Sequence, residues 1–185
     1  MIKINVVIKG LSPLMQHNPQ EIFEVKKAHN KGKGYNLEED CEKRAYRNEN
    51  DELYIPCEWL VATMRNAARF FKTKRGNPSL KQLISGLITV EPFQISLGTK
   101  NYEMDVRRVV IKGASIACAR PIIKDWQATF SIRFNPELFP IDNPVGTLKE
   151  SLEIAGQVYG IGAYRPEHAG PFGRFEITDW KVEEE

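Results

Sequence analysis

The chain has 185 residues, of which 42% are hydrophobic and 10% aromatic, a composition that favours one domain with a packed core. Its formal net charge of +2 is too small to attract a polyanion through the field of the whole protein, so a nucleic acid would have to meet a local patch. The three cysteines show no C-x-x-C spacing, which argues against a disulfide framework or structural zinc and favours a cytoplasmic protein. We expect no signal peptide and no membrane span.

The N-terminal segment predicts a half-buried strand followed by a long polar insertion. Apolar side chains at positions 2, 4, 6 and 8 alternate mostly with polar ones, as in a strand with one face on a core. Gly10, Ser12 and Pro13 end this strand. Residues 18–50 are dense in lysine and arginine with a run of acids inside, which predicts a functional loop or a partly disordered insertion.

A helix is predicted from Glu58 to Lys72, after a short extended piece at residues 53–56. Apolar residues recur along this helix at helical spacing and form one stripe for burial. Arg65, Arg69 and Lys72 fall together beside that stripe. They form either an ordinary solvated helix face or an edge that binds phosphates, and the sequence leaves both interpretations open.

The middle of the chain predicts a second short helix and several strands. The helix spans about residues 80–86, and residues 87–97 form a strand in which Pro92 indicates a bulge or an edge position. Residues 99–108 are predicted as a polar loop, whose cations are Lys100, Arg107 and Arg108. The strands that follow are predicted at 109–111, 116–119 and 128–134, as parts of a hairpin.

A glycine-rich loop is the strongest candidate for function. It has the sequence GIGAYRPEHAGPFGRF at residues 160–175, between a helix predicted over 146–159 and a strand predicted over 174–180. Glycines allow a backbone to approach a phosphate closely, while aromatic and arginine side chains offer stacking faces and charged donors to single-stranded nucleic acid. The candidate binding residues in this loop are Gly160, Gly162, Tyr164, Arg165, Gly170, Phe172, Gly173 and Arg174. An ordinary glycine-rich surface loop is the alternative.

The order of the predicted elements is close to the βαββαβ pattern of the ferredoxin-like, or RRM-like, fold. We therefore predict one α+β domain over residues 1–185, built on an antiparallel sheet with helices on one face. The polar insertion at about 18–50 and a β-hairpin extension are added to it. Nucleic-acid binders of this fold use the uncovered face of the sheet or its rim.

Four segments, in chain order, resemble a known superfamily. They are GLSPLM at the end of the first strand, ELYIPCEWLVATMRNAAR at the first helix, RPIIKDWQATFSIRFNPEL before the second, and GQVYGIGAYRPEHAGPFGRFEI at the glycine loop and last strand. On these segments the chain resembles the repeat-associated mysterious protein (RAMP) superfamily of CRISPR-associated proteins. The resemblance spans nearly the whole chain.

The resemblance is greatest to the backbone subunits of effector complexes, which polymerise along a guide RNA and grip its sugar-phosphate chain. It implies an RNA-binding, non-enzymatic subunit that assembles with copies of itself and with other effector subunits in antiviral defence, with target nucleic acid as a further partner. The implied contacts are Ile55 and Pro56 at the helix start, Arg65, Arg69, the loop between Leu97 and Arg108, Arg165 and Arg174.

Two other functions stay open. Some members of the superfamily cleave RNA with a histidine, and His17 and His168 are the weak candidates for such a metal-independent endoribonuclease, with solvated loop histidines as the alternative. Asp40, in its acidic run, is a further candidate for cleavage or metal binding. No histidine pair has metal-ligand spacing, so neither a metal nor another cofactor is predicted. A single-stranded-DNA-binding or protein-interaction module that keeps only the fold is the third hypothesis.

Overall fold

The structure is a computed structural model that describes residues 1–19, 36–74, 79–111 and 113–184. Within these ranges it has antiparallel sheets and α-helices, so the predicted α+β class is confirmed. The strands are β1 (Ile2–Gly10), β2 (Leu14–Met15), β3 (Tyr54–Pro56), β4 (Ile88–Glu91), β5 (Gln94–Ser96), β6 (Glu103–Ile111), β7 (Ala114–Ile123), β8 (Gln127–Phe134) and β9 (Phe175–Glu184). The helices are α1 (Leu37–Lys43), α2 (Cys57–Ala67), α3 (Leu80–Leu87) and α4 (Pro144–Ile154).

The main sheet has the strand order β4-β8-β1-β9, with all neighbours antiparallel. β1 and β8 pair from Ile2 opposite Phe134 to Lys9 opposite Gln127. Their alternation puts every second side chain on one face, where Ile4, Val6 and Ile8 are fully buried. This confirms the strand predictions made from alternation.

Helices α2 and α4 pack against each other and cover the apolar face of the main sheet. The buried stripe of α2 includes Leu60, Met64 and Ala67, which recur at helical spacing. On the opposite face of the sheet, side chains such as Asn5 and Thr129 remain partly or fully exposed. The helices therefore cover one face of the main sheet and leave the other uncovered. None of the described helices is long and apolar enough to cross a membrane.

A second sheet, of order β2-β7-β6, contains a hairpin of β6 and β7, whereas the third strand predicted for the hairpin, 128–134, is β8 of the main sheet. β6 and β7 pair from Glu103 opposite Ile122 to Ile111 opposite Ala114. At the exit of β7, Trp126 is buried and its Nε1 donates a hydrogen bond to the carbonyl of Ser12. Its ring fills the space beside Gly10, where an added Cβ would lie 2.2 Å from Nε1. The hairpin is thereby fixed to the end of β1.

The polar insertion contains a helix that the composition did not predict. The Asn36 side chain caps α1 by accepting hydrogen bonds from the backbone of Glu38 and Glu39, and Asp40 completes the acidic first turn. α1 packs on β7 through the buried Cys41. Because Cys41 is the buried residue of α1, the helix has no apolar stripe from which its periodicity could be recognised in the sequence. Residues 20–35, the rest of the predicted loop, lie outside the described part.

Two hydrogen bonds close the insertion at its base. The N–H of Asn18 donates to the carbonyl of Arg44 at 2.9 Å. The buried Arg44 side chain in turn donates from Nη1 to the carbonyl of Ala119 on β7, at 2.6 Å. The two ends of the insertion therefore meet beside the hairpin.

Four predicted boundaries were wrong. The predicted strand 87–97 is two strands in different sheets, because the chain turns at the cis Glu91–Pro92 bond. The predicted polar loop 99–108 already contains the start of β6, whose alternation is hidden by charged residues. α2 ends at Ala67 and continues as a 3-10 turn at Ala68–Phe70, so Lys72 lies beyond the predicted helix. α4 likewise ends early and continues as a π turn at Ala155–Tyr159.

Replacing one buried side chain of β8 tests the assignment of the covered face. We expect Phe130→Ala to lower the free energy of unfolding by about 3–5 kcal/mol, because it leaves a cavity under the helices. Thr129→Ala, one residue earlier and on the exposed face, should change it by less than about 0.5 kcal/mol. Urea denaturation measures both values. Equal losses in the two variants would contradict the assignment.

Candidate nucleic-acid interface

The glycine loop folds back on itself and docks on the turn after β1. Within the loop, the N–H of Ile161 donates to the carbonyl of Gly173 at 2.9 Å. The N–H groups of Ala163 and Gly173 donate to the carbonyls of Met15 and Pro13, both at 2.8 Å. The loop is therefore held as a rigid platform against the end of the central strand β1.

Two glycines of this loop are required by its own packing. Gly162 has φ +81°, and an added Cβ would lie 2.5 Å from the carbonyl oxygen of Met15. Gly173 has φ +76°, and its Cβ would lie 1.8 Å from the carbonyl oxygen of Ile161. At both positions the positive φ and the short distance exclude an unstrained side chain, since real Cβ atoms do not approach backbone atoms that closely. The tight fold of the loop accounts for these glycines without a ligand.

A cleft of about 320 Å³ separates α2 from the glycine loop. Trp59, Ala62 and Thr63 line it from α2, because residues three and four apart share a helix face. The other lining residues are His17, Pro19, Tyr46, Gly160, Ile161, Gly162, Ala163 and Arg165. None of these lining residues is acidic. The hydroxyl of Thr63 donates to the carbonyl of Gly160 at 3.0 Å and joins the two walls.

The inner end of the cleft is electropositive. Burial, together with the charges of Arg120 and Arg44, lowers the pKa of His17 from its usual 6.5 to about 4, so its imidazole is neutral at pH 7. Among the residues that the structure describes, Arg120 donates to the sulfur of Met15 at 3.8 Å, and its buried Nε has no hydrogen-bond partner. A neutral histidine beside a poorly satisfied guanidinium suits an anionic or polar ligand.

The exposed side of α2 continues from the cleft as a row of cations. Ala62 and Arg65 lie three residues apart on α2, Arg69 lies in the 3-10 turn that follows α2, and all three are exposed. Neither arginine forms an ion pair with the residues that the structure describes. Next to this row, Asn66 donates to Glu167 at 2.7 Å and ties α2 to the loop. Arg65 and Arg69 are therefore cations beside the cleft that remain available to a ligand.

Several predicted loop residues are instead occupied by intramolecular contacts. Arg165 forms an ion pair with Glu167 at 2.7 Å and donates to the carbonyl of Gly162. Arg174 donates to the carbonyl of Gln157 while staying exposed. Gly160 ends the π turn with φ +67°, and Gly170 is buried against the backbone of Tyr164. These four positions shape the loop.

Arg107 lies over the aromatic residues of the loop. Its guanidinium is 5.0 Å from the ring centre of Phe172 and 5.5 Å from that of Tyr164, and it is paired with Asp105. Phe172 is buried against Met15, so its ring belongs to the packing between loop and hairpin. Tyr164 remains 41% exposed and is the aromatic of this pair that a ligand could reach.

Other predicted residues lie away from the cleft. Arg108 is exposed on the face of β6 opposite to Arg107. Lys72 lies beyond the 3-10 turn that follows α2, and the carbonyl of Lys100 accepts a hydrogen bond from Arg47. His168 is exposed in the 3-10 turn Pro166–His168 and does not line the cleft. The predicted residues therefore do not form a single site.

The cleft also contains aromatic residues that were not predicted as binding residues. Tyr46 and Trp59 are perpendicular to each other, with ring centres 5.1 Å apart. Trp59, Ala62 and Thr63 have the spacing of one helix face, which was the signal present in the sequence. Tyr46 and His17 come from segments far apart in sequence, and no local pattern brings them together. No group of three or more metal-binding side chains occurs among the described residues.

No protein-family model and no curated protein matches the sequence. The functional assignment therefore depends on the geometry of the cleft and its surroundings.

Replacing Gly162 tests the tight docking of the loop. Gly162→Ala should lower the free energy of unfolding by about 2–4 kcal/mol, because an unfavourable φ is combined with overlap with Met15. Gly98 has a similar φ of +66° with open space around it, so Gly98→Ala should cost only about 1–2 kcal/mol. Thermal and urea unfolding give both values, and equal losses would show that the loop is not packed as described.

The buried imidazole of His17 should make stability depend on pH. Its folded pKa of about 4 lies below the unfolded value of 6.5, so the unfolded state binds more protons between these values. The stability present above pH 6.5 is lost as the pH falls towards 4. Allowing for solvent screening of a half-buried group, we expect the free energy of unfolding to fall by roughly 1–2 kcal/mol over this range because of His17.

The measurement compares urea unfolding of the wild type and His17→Gln at steps from pH 7 to 4. Carboxylates titrate in both proteins, so the difference between the two curves isolates His17. His168→Gln provides the control for an exposed histidine. A constant difference across the pH range would contradict the lowered pKa.

Proposed function

We propose that the protein binds single-stranded RNA where α2 meets the glycine loop, as a backbone-type subunit of a ribonucleoprotein complex. One observation carries the proposal: Arg65 and Arg69, without ion pairs among the described residues, continue directly from a cleft with aromatic walls and no acidic lining residue. Free cations bind phosphates and aromatic rings bind bases, and single-stranded nucleic acid requires both. The resemblance to RAMP backbone subunits points to the same side of α2.

We further propose that the main sheet with α2 and α4 is a ferredoxin-like βαββαβ unit. The chain order β1, α2, β4, β8, α4, β9 and the strand order β4-β8-β1-β9 support this. The uncovered face of that sheet mixes cations such as Lys3 and Arg133 with acids such as Glu91, and its described positions include no aromatic residue. This composition favours binding at the rim, beside α2.

The exposed face of β6 supports assembly of copies side by side. β6 is the edge strand of its sheet, and Met104, Val106 and Val110 are exposed on the face that also carries Arg108. An edge strand with an apolar stripe is a surface on which another chain can pack. In the proposed complex, neighbouring subunits cover this stripe while the RNA follows α2.

A metal-independent endoribonuclease is the second candidate, favoured by the position of His17 in the cleft. A neutral imidazole can accept a proton, but a pKa of about 4 leaves little imidazolium to act as a general acid at neutral pH. Incubation of RNA with the wild type and with His17→Ala separates the two functions. If the protein is a nuclease, the wild type cleaves the RNA and His17→Ala binds it without cleaving it. If the protein is a binding subunit, neither the wild type nor the variant cleaves the RNA.

Removing Arg65 of α2 and Arg69 of the 3-10 turn after it tests RNA binding directly. We expect Arg65→Ala and Arg69→Ala each to weaken binding of a short single-stranded RNA several-fold, because each arginine neutralises one phosphate. The slope of log affinity against log salt should become shallower by about 0.7 per arginine removed. Fluorescence anisotropy of an end-labelled RNA measures both quantities.

Lys149→Ala provides the matched control, since Lys149 is an exposed cation on α4. It should leave affinity and salt slope unchanged. If Lys149→Ala weakens RNA binding as much as the arginine variants do, the loss of affinity reflects the overall charge of the protein and not a binding site at α2. Absence of any salt-dependent RNA binding by the wild type would overturn the proposal in favour of a protein-interaction module, and preference for single-stranded DNA would replace the RNA partner.

A further inference from the structure

The size and the walls of the cleft suit one flat ring system. Its volume of about 320 Å³ is at the lower end of the range for small-ligand sites. Ala62 and Gly162 contribute almost no side-chain bulk, while Trp59 and Tyr46 contribute perpendicular aromatic surfaces. A planar heteroaromatic group can therefore enter between α2 and the loop and contact an indole ring.

Polar groups in the cleft offer both donors and acceptors. The neutral imidazole of His17 presents one of each. Thr63 uses its hydroxyl proton on Gly160 and keeps capacity to accept a hydrogen bond. The N–H of Gly162, between the bonded N–H groups of Ile161 and Ala163, has no partner among the described residues. The edge of a nucleobase combines donors and acceptors in the same way.

The arginines around the cleft match an anionic chain attached to that ring, against one exposed acid, Glu58, that acts electrostatically on Tyr46. No acid lines the cleft, and the carboxylate of Glu167 nearby is already bound by Arg165 and Asn66. Arg65 is exposed and lies about one helical turn beyond Ala62, which lines the cleft. A phosphate next to the bound ring would meet this arginine.

We propose that the cleft between α2 and the glycine loop binds one nucleobase of the RNA, turned out of the strand, while Arg65 and Arg69 hold the adjoining phosphates. This inference rests on the proposed RNA-binding function and adds a base-binding pocket to it. The pocket contributes affinity that depends on the presence of a base and is independent of salt, in contrast to the contribution of the arginines.

The test compares two strands of equal length, a single-stranded RNA of mixed sequence and an abasic ribose-phosphate oligomer. Trp59→Leu should bind the RNA about 5- to 100-fold more weakly than the wild type, which is the range for one base stacked on an aromatic residue. It should bind the abasic oligomer as the wild type does, with an unchanged salt slope. Anisotropy titrations at several salt concentrations measure all four combinations.

A second variant guards against misfolding, because Trp59 also packs on the core. Ala62 is exposed on α2, so Ala62→Leu narrows the cleft without disturbing buried residues. It should reproduce the loss on RNA and spare the abasic oligomer. Ser85→Leu adds a leucine to the exposed surface of α3, outside the cleft, and should change neither affinity.

The outcomes separate the pocket from the proposed function. If Trp59→Leu and Ala62→Leu weaken binding of the RNA and of the abasic oligomer equally, or weaken neither, the base-binding pocket is overturned. Salt-dependent binding of RNA by the wild type would still support the proposed function. If the wild type binds neither oligomer in a salt-dependent way, RNA binding fails and the pocket fails with it.

Discussion

The docking of the glycine loop on the turn after β1 determines where every other part of the site lies. Three backbone N–H groups, of Leu11, Ala163 and Gly173, donate to carbonyls across this contact, each at 2.8 Å. Each such hydrogen bond contributes about 0.5–1.5 kcal/mol, so the three together hold the loop against the turn. Because β1 is central in the sheet and α2 covers that sheet, a loop fixed to β1 also fixes the width of the cleft.

The sequence predicted those parts of the fold that follow from local periodicity. Alternation was sufficient for β1 and β8, and helical spacing for most of α2, because each element has a wide apolar face. α1 has essentially one buried apolar position, Cys41, and so its pattern was lost among charged residues. The cleft could not be predicted, because His17, Trp59 and Gly162 meet only through the packing of separate elements.

The arginines show why residue type alone does not identify a binding site. Arg107 and Arg165 each pair with an acid two positions away, Asp105 and Glu167, and these pairs hold the hairpin and loop in shape. Arg65 on α2 and Arg69 in the 3-10 turn after it have no such neighbour and remain exposed. An acidic residue two positions from an arginine can be seen in the amino-acid sequence. The sequence alone therefore distinguishes arginines with such an acidic neighbour from arginines without it. The aromatic contacts of Arg107 depend on tertiary packing and leave no such local signal.

The hydrogen bond between Asn18 and Arg44 has a consequence for how this chain can diverge. It brings the two ends of the insertion together, and Arg44 is itself anchored on β7. The entropy of closing a loop grows only slowly with its length, so residues can be added between Pro19 and Asn36, ahead of α1, at little cost to stability. The register of both sheets would stay the same. This position can therefore acquire new segments, and with them new specificity, while the cleft beside it keeps its shape.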